Sequence, residues 1–128
     1  MNKHYLKLYT YLAPSKVCDG VGVFALVEIP KDTLIWRIFP KEYHKYKWEE
    51  IPNEYEDYVT NMTFCDEDGF KIDCDLDRLY GAYYVNHSEN PNVRIGKHDE
   101  YISTRIIYKD EEILYNYPPK DKIWQWAH

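Results

Sequence analysis

The sequence predicts a single mainly β domain of six or seven short strands with one or two small helices. Three observations carry that reading. Apolar residues alternate at period two in several stretches, while only one stretch shows helical spacing. Aromatic residues make up 17% of the chain, with 14 Tyr among them, and such rings suit pleated, half-buried surfaces. Turn formers interrupt the sequence at short intervals: Pro14, Gly20 and Gly22, Pro30-Lys31-Asp32, Asp66 to Gly69, Gly96 and Pro118-Pro119. A length of 128 residues is enough for one core, so residues 1–128 read as one domain with its body at about 17–117 and an aromatic tail at 118–128.

The elements follow in order. His4 to Leu12 alternates, with Leu6, Leu8 and Leu12 on one side and Tyr5, Lys7, Tyr9 and Tyr11 on the other, a strand ended by Pro14. Ser15 to Gly22 is a loop, and Val21 to Ile29 is apolar on both faces, as a buried strand is. Pro30-Lys31-Asp32 turns the chain into Thr33 to Phe39, so the two runs together predict a β-hairpin. Trp48, Ile51, Tyr55, Tyr58 and Met62 recur at helical steps, and Pro52 confines the helix to about Asn53–Asn61. After the Asp66 to Gly69 turn, Phe70, Ile72, Cys74 and Leu76 predict one strand face, with Asp73, Asp75 and Asp77 on a solvated acidic face. Asp77 to Val85 reads as a helical turn and Asn86 to Asn92 as a polar loop. Tyr101 to Tyr108 reads as a strand and Ile113 to Tyr117 as a short apolar piece.

Composition narrows the function classes. The 16 Lys plus Arg against 22 Asp plus Glu give a net charge of −6, which argues against direct nucleic-acid binding and for a basic partner. No apolar stretch approaches the ~20 residues of a membrane span, and the N-terminal residues lack a signal-peptide core. Cys18, Cys65 and Cys74 form no C-x-x-C pair and read as reduced thiols of an intracellular protein. Asp73-Cys74-Asp75-Leu76-Asp77 imitates the opening of a calcium loop, but Arg78 stands where its sharp turn needs Gly and Tyr84 where it needs Glu. The five histidines show no short pairing, so no metal site is expected.

Three segments are left that ordinary turns and strands do not fully explain. Asp19-Gly20-Val21-Gly22-Val23-Phe24-Ala25 sets glycines before a buried strand, where a ligand can touch backbone. Asn86-His87-Ser88-Glu89-Asn90-Pro91-Asn92 is a polar heptad, and Asp110-Glu111-Glu112-Ile113-Leu114-Tyr115-Asn116-Tyr117 pairs acids with tyrosines. In this order they resemble the SET-domain lysine methyltransferases, whose G-x-G-V-F-A, N-H-S-x-x-P-N and G-E-E-L-x-Y-x-Y segments follow one another in the same way. The middle motif matches in full, and Ala25 to Asp32 resembles the family's A-x-x-x-I-x-x-G strand and turn with Asp32 in place of Gly.

The resemblance implies a β-clip type SET fold: several short curved sheets and a pseudoknot-like threading of the C-terminal segment. It implies S-adenosylmethionine as cofactor and lysine in a basic protein or peptide, a histone tail among the candidates, as methyl acceptor. Gly20, Val21, Gly22, Asn86 and His87 would hold the cofactor, and Tyr117 would supply the active-site hydroxyl beside it. Glu54 to Tyr58 resembles the L-E-D-Y of minimal stand-alone SET proteins, which carries a second active-site tyrosine onto Tyr58. Departures are Tyr83-Tyr84 for the usual Arg-Phe, Asp110 for Gly and Asn116 for Asp. No C-x-C-x4-C zinc clasp follows Tyr117, so Trp124 or Trp126 of the tail is expected to close the cofactor cleft by stacking. The competing reading is a non-catalytic SET-like module that binds peptide or cofactor without turnover. Methylation of a small molecule or a non-histone protein also stays open, as does a homodimer joined through the aromatic surplus.

Overall fold

A computed structural model describes residues 8–38, 43–96 and 99–117. Residues 4–7 of the predicted first strand, and Trp124 and Trp126 of the tail, lie outside the described residues. The fold is mostly strand, in several small sheets. Ten strands are present among the described residues: β1 (Thr10–Pro14), β2 (Val21–Ala25), β3 (Leu34–Arg37), β4 (His44–Lys47), β5 (Phe64–Cys65), β6 (Gly69–Ile72), β7 (Asn86–His87), β8 (Val93–Ile95), β9 (Glu100–Ser103) and β10 (Leu114–Tyr115). One α-helix, α1 (Glu56–Met62), extends a 3-10 turn at Asn53–Tyr55, close to the predicted Asn53–Asn61. No described helix is long and apolar enough to cross a membrane.

β1 and β2 form an antiparallel pair, with Thr10 opposite Ala25 and Pro14 opposite Val21. The alternation read from β1 is real, but the tyrosine side faces inward. Leu8 and Leu12 are 55% and 49% exposed, whereas Tyr9 packs on the core and Tyr11 stacks on Phe24 with ring centroids 5.7 Å apart. β2 is buried on both faces from Gly22 to Ala25, as its apolar run requires.

The predicted hairpin is absent. β3 pairs antiparallel with β9, not with β2, and β8 completes that sheet in the order β3-β9-β8. The turn at Pro30-Lys31-Asp32 exists, but Ile29 exchanges both backbone hydrogen bonds with Ile107 at 2.8 Å. Turn residues announce a reversal; they do not name the partner, which comes here from far along the chain. β9 itself stops at Ser103, whose hydroxyl donates to the Pro30 carbonyl at 2.6 Å, so the predicted run to Tyr108 is cut short.

The third sheet, β4-β6-β5, contains a strand that periodicity does not reveal. β4 reads His-Lys-Tyr-Lys and is an edge strand with only Tyr46 half-buried, stacked on Phe70. β6 keeps Phe70 and Ile72 inward but ends at Ile72, before Cys74 and Leu76. The chain bends there because the Asp73 carboxylate is drawn inward: Tyr80 and Tyr83 each donate a hydroxyl to it at 2.7 Å. Asp73 is therefore no part of a solvated acidic face. Leu76–Arg78 and Gly81–Tyr84 are 3-10 turns in place of one helical turn.

The predicted Asn86 to Asn92 loop opens on a strand. β7 pairs in parallel with β10, Asn86 opposite Leu114 and His87 opposite Tyr115, which lays the C-terminal segment alongside the middle motif. Two cores result. One gathers Val23, Ala25, Ile29, Ile35, Val85, Tyr101, Ile107 and Ile113, and the other Val59, Cys65, Phe70, Ile72 and Tyr83. Phe64, Tyr80 and Tyr84 pack against both.

Backbone geometry accounts for two departures from the family pattern. Asp32 and Asp110 stand where the motifs carry Gly, and both are left-handed, with φ of 62° and 68°. Asp is among the few side chains that tolerate this region. Asp32 has no bond to another side chain among the described residues that glycine would sacrifice. Asp32→Gly is therefore expected to raise stability by about 0.5–1 kcal/mol, and Asp32→Val to lower it by more than ~1 kcal/mol. Urea midpoints of the two variants moving in the same direction would contradict this account.

Candidate active site

The three motif segments converge on one cavity of about 260 Å3. Cys18, Gly20 and Val21 enter from the loop before β2. Tyr83, Tyr84, Val85 and Asn86 enter from the 3-10 turn and β7, Asn61 and Met62 from the end of α1, and Tyr117 from beyond β10. The cavity sits where the two cores meet, because Tyr83 belongs to one core and Val85 to the other.

Each wall has a local cause. The Asn86 side chain donates through Nδ2 to the Val21 carbonyl at 2.9 Å and to the Glu112 carboxylate at 3.2 Å, tying the first motif to the second and third. The Tyr117 N–H donates to Nδ1 of His87 at 3.0 Å, and the two rings lie 5.2 Å apart. That bond uses the Nδ1 lone pair and so places the ring N–H on Nε2. The Tyr117 hydroxyl donates to the Val85 carbonyl, which points the phenol back under the middle motif. Burial, with a smaller contribution from Cys18, pushes the Tyr117 hydroxyl up to about 12. It remains a protonated phenol at neutral pH.

The site residues expected from sequence divide in two. Gly20, Val21, Asn86 and Tyr117 line the cavity, and His87 supports Tyr117 from the exposed side. Gly22 stands behind the wall: a Cβ there would lie 2.4 Å from Oε2 of Glu112. Tyr58 is elsewhere, half-exposed at 50%, in a separate open groove of about 760 Å3 with Glu54, Tyr55, Asp75, Leu76, Asp77 and Arg78. Its hydroxyl is raised by burial, then by Tyr84 and Asp77. Trp124 falls outside the described residues.

Sequence reading passed over several wall residues. Asn61 and Met62 give no motif signal, although Tyr58 and Met62 share a helical stripe that pointed to this side of α1, and Tyr84 was noticed only as a departure from the motif. Glu112 carried a signal only as part of its motif. Cys18, Cys65 and Cys74 are free thiols, and Cys74 is raised chiefly by burial.

The SET domain family model matches residues 20–118. The chain belongs to the SET domain family. Among solved structures, this SET domain is similar to a candidate histone methyltransferase of Plasmodium falciparum, with 25% identity, a TM-score of 0.59, and coverage of 88% of this chain and 96% of that one. It is also similar to the methyltransferase domain of human PR domain-containing protein 2, at 20% identity and a TM-score of 0.56, over 89% of this chain and 80% of that one. A humanized Chaetomium thermophilum Polycomb Repressive Complex 2, bound to the inhibitor GSK126, matches at 20% identity and a TM-score of 0.54, over 84% of this chain and 14% of that chain. The two likenesses at 20% show a shared fold. No curated protein matches the sequence.

Burial of tyrosine hydroxyls in this SET domain has a consequence for alkaline stability. Tyr80, Tyr83, Tyr101 and Tyr117 are all raised above 10, each chiefly by burial. Above pH 10 the unfolded chain releases these protons and the folded chain keeps them, so stability is complete below that pH and falls as pH rises. Each such group contributes a loss of about 1.4 kcal/mol per pH unit. Between pH 10 and 12 Tyr117→Phe should show a shallower fall in urea midpoint than the unaltered chain. Identical slopes would show that the Tyr117 hydroxyl is not protected by the fold.

Proposed function

We propose that this SET domain is a protein-lysine methyltransferase that uses S-adenosylmethionine, with histone tails the first substrates to try. The observation that carries the reading is the convergence of Gly20, Val21, Asn86 and Tyr117, from three separated segments, on one cavity. Family membership and the methyltransferases among the structural neighbours support it.

The lining suits this cofactor better than a phosphorylated one. Among the described residues no basic side chain lines the cavity to hold a phosphate, while three tyrosine rings and a backbone-rich loop do line it. Aromatic faces attract a cationic sulfonium. Gly20, Val21 and Asn86 would hold the cofactor's polar end, with His87 acting through Tyr117. When bound, S-adenosylmethionine supplies an electrophilic methyl group.

The protein's part is to deliver a neutral amine in line with that methyl. At pH 7.4 only about one lysine in a thousand is uncharged. The tyrosine-lined wall of the cavity disfavours the ammonium by desolvation. Tyr117 does not act as the base, since burial keeps its own proton on. With that proton donated to Val85, the phenol oxygen can orient an amine by accepting from it and can meet the methyl hydrogens through weak C–H contacts. Most of the acceleration is then positional.

An acidic chain would steer basic peptides toward itself, and the groove of Glu54, Asp75 and Asp77 beside Tyr58 adds to that field. Tyr58, in that groove, then serves the peptide and not the methyl-transfer centre.

The test is transfer of labelled methyl from S-adenosylmethionine to free histones and lysine-rich peptides, with calorimetry of cofactor binding alongside. Tyr117→Phe should lower turnover by about 100-fold or more while cofactor affinity stays within a few-fold. Turnover should rise with pH through about 8 to 10 as the substrate lysine loses its proton. Cofactor binding with no label on any substrate would favour a non-catalytic module. Near-normal turnover by Tyr117→Phe would remove the assignment of that residue.

A further inference from the structure

Glu112 is 7% exposed and does not line the cavity, yet its carboxylate ties the loop before β2 and Asn86 to its own C-terminal segment. Oε2 accepts the Ser15 hydroxyl at 2.7 Å and the Asn86 Nδ2 at 3.2 Å. Oε1 accepts the Lys16 backbone N–H at 2.8 Å. Gly22 is part of the same arrangement, since any side chain there would collide with Oε2.

The donors are of two kinds. The Ser15 hydroxyl can turn and become an acceptor; the Lys16 N–H cannot, and the Asn86 amide can do so only by giving up its bond to the Val21 carbonyl. Asn86 is held with Nδ2 toward two acceptors, the Val21 carbonyl and Glu112. Its Oδ1 is therefore directed away from both. Only a group that accepts at both of its oxygens satisfies this set, and a carboxylate is such a group.

We propose that Glu112 is a positioning residue for the cofactor cleft: its carboxylate fixes the Ser15–Gly22 loop and sets which end of the Asn86 amide faces a ligand. This rests on the reading of the cavity as an S-adenosylmethionine site. Glu112 itself touches no reacting atom.

Glu112→Gln keeps size and shape but replaces one acceptor oxygen by an NH2 donor. Whichever way the new amide turns, it meets either the Lys16 N–H or the Asn86 Nδ2 donor to donor. The loop shifts or the Asn86 amide rotates, and both belong to the cleft.

Calorimetry with S-adenosylmethionine should show Glu112→Gln binding about ten-fold or more weakly, with KM for the cofactor rising in parallel. kcat at saturating cofactor should stay within about two-fold, because the transfer centre at Tyr117 is unchanged. A merely structural role would lower the fraction of active protein, and so kcat, and leave KM where it was. In ligand-free protein, hydrogen exchange at the Lys16 amide should also accelerate in Glu112→Ala, which removes its acceptor. If Glu112→Gln fails to fold, Ser15→Ala removes one donor, on the half-buried first residue of the loop, and should weaken cofactor binding two- to five-fold. Unchanged affinity in the folded Glu112→Gln variant, or in Ser15→Ala where that variant does not fold, would overturn the inference alone. Absence of cofactor binding by the unaltered chain would overturn the functional reading and the inference together.

Discussion

The buried side-chain amide of Asn92 stands in for a strand. Its Nδ2 donates to the Glu112 carbonyl and its Oδ1 accepts the Leu114 N–H, both at 2.8 Å, while its own N–H donates to the Leu114 carbonyl at 3.1 Å and its carbonyl accepts Thr104 N–H. Asn92 is 2% exposed, so its own amide has little access to water as an alternative. An apolar replacement would leave a buried carbonyl and a buried N–H unpaired, at about 1–3 kcal/mol each. The β7–β10 ladder is only two residues long on each side and could not hold the C-terminal segment unaided. The last Asn of N-H-S-x-x-P-N is thus structural, the first faces the cavity, and the His between them braces Tyr117. One motif serves three different physical purposes.

Because residues 110–117 are clamped in this way, their side chains arrive in fixed places. Asp110 takes the left-handed turn and accepts the Tyr11 hydroxyl at 2.7 Å, which draws β1 to the same segment. That bond raises the Tyr11 hydroxyl, chiefly through the hydrogen bond itself. Glu112 then points into the base of the first-motif loop, and Tyr117 into the cavity. Where the family pattern has a glycine, this chain uses an aspartate that tolerates positive φ and gains a partner. The substitution at position 110 therefore trades backbone ease for a link that glycine cannot make.

How much of this was legible in the sequence depended on the range of the interaction. Local signals worked: the two-sided burial of β2, the short helix after Pro52 and the turn at Asp66 to Gly69 all follow from neighbours in sequence. Pairing partners did not. The predicted β2–β3 hairpin failed because Ile29 and Thr33 find partners at Ile107 and Ser103, and nothing near Pro30 encodes those distant positions. β4 was invisible because its outward residues are polar and its one inward ring, Tyr46, gives no period. The cavity was legible only where motifs named it. Tyr58 was placed by a short local match, and its real surroundings were decided by where the Leu76–Arg78 turn lands.

The tyrosines at positions 83 and 84 show how the site tolerates its main departure. Tyr83 lines the cavity with its ring at 7% exposure and sends its hydroxyl to Asp73, which also accepts from Tyr80. Among the described residues no buried side-chain polar atom lacks a partner, so this aromatic surplus imposes no orphaned hydroxyl on the core. The same carboxylate ends β6 by drawing Asp73 inward. The β4-β6-β5 sheet is thereby fastened to the cavity wall through Tyr83, while Val85, two residues on, belongs to the other core. The cavity is not a gap left between two cores. It is bounded by the short turn through which each core constrains the other, so a change in packing around Phe70 or Val59 can reach Tyr83 and the cavity wall without touching a motif.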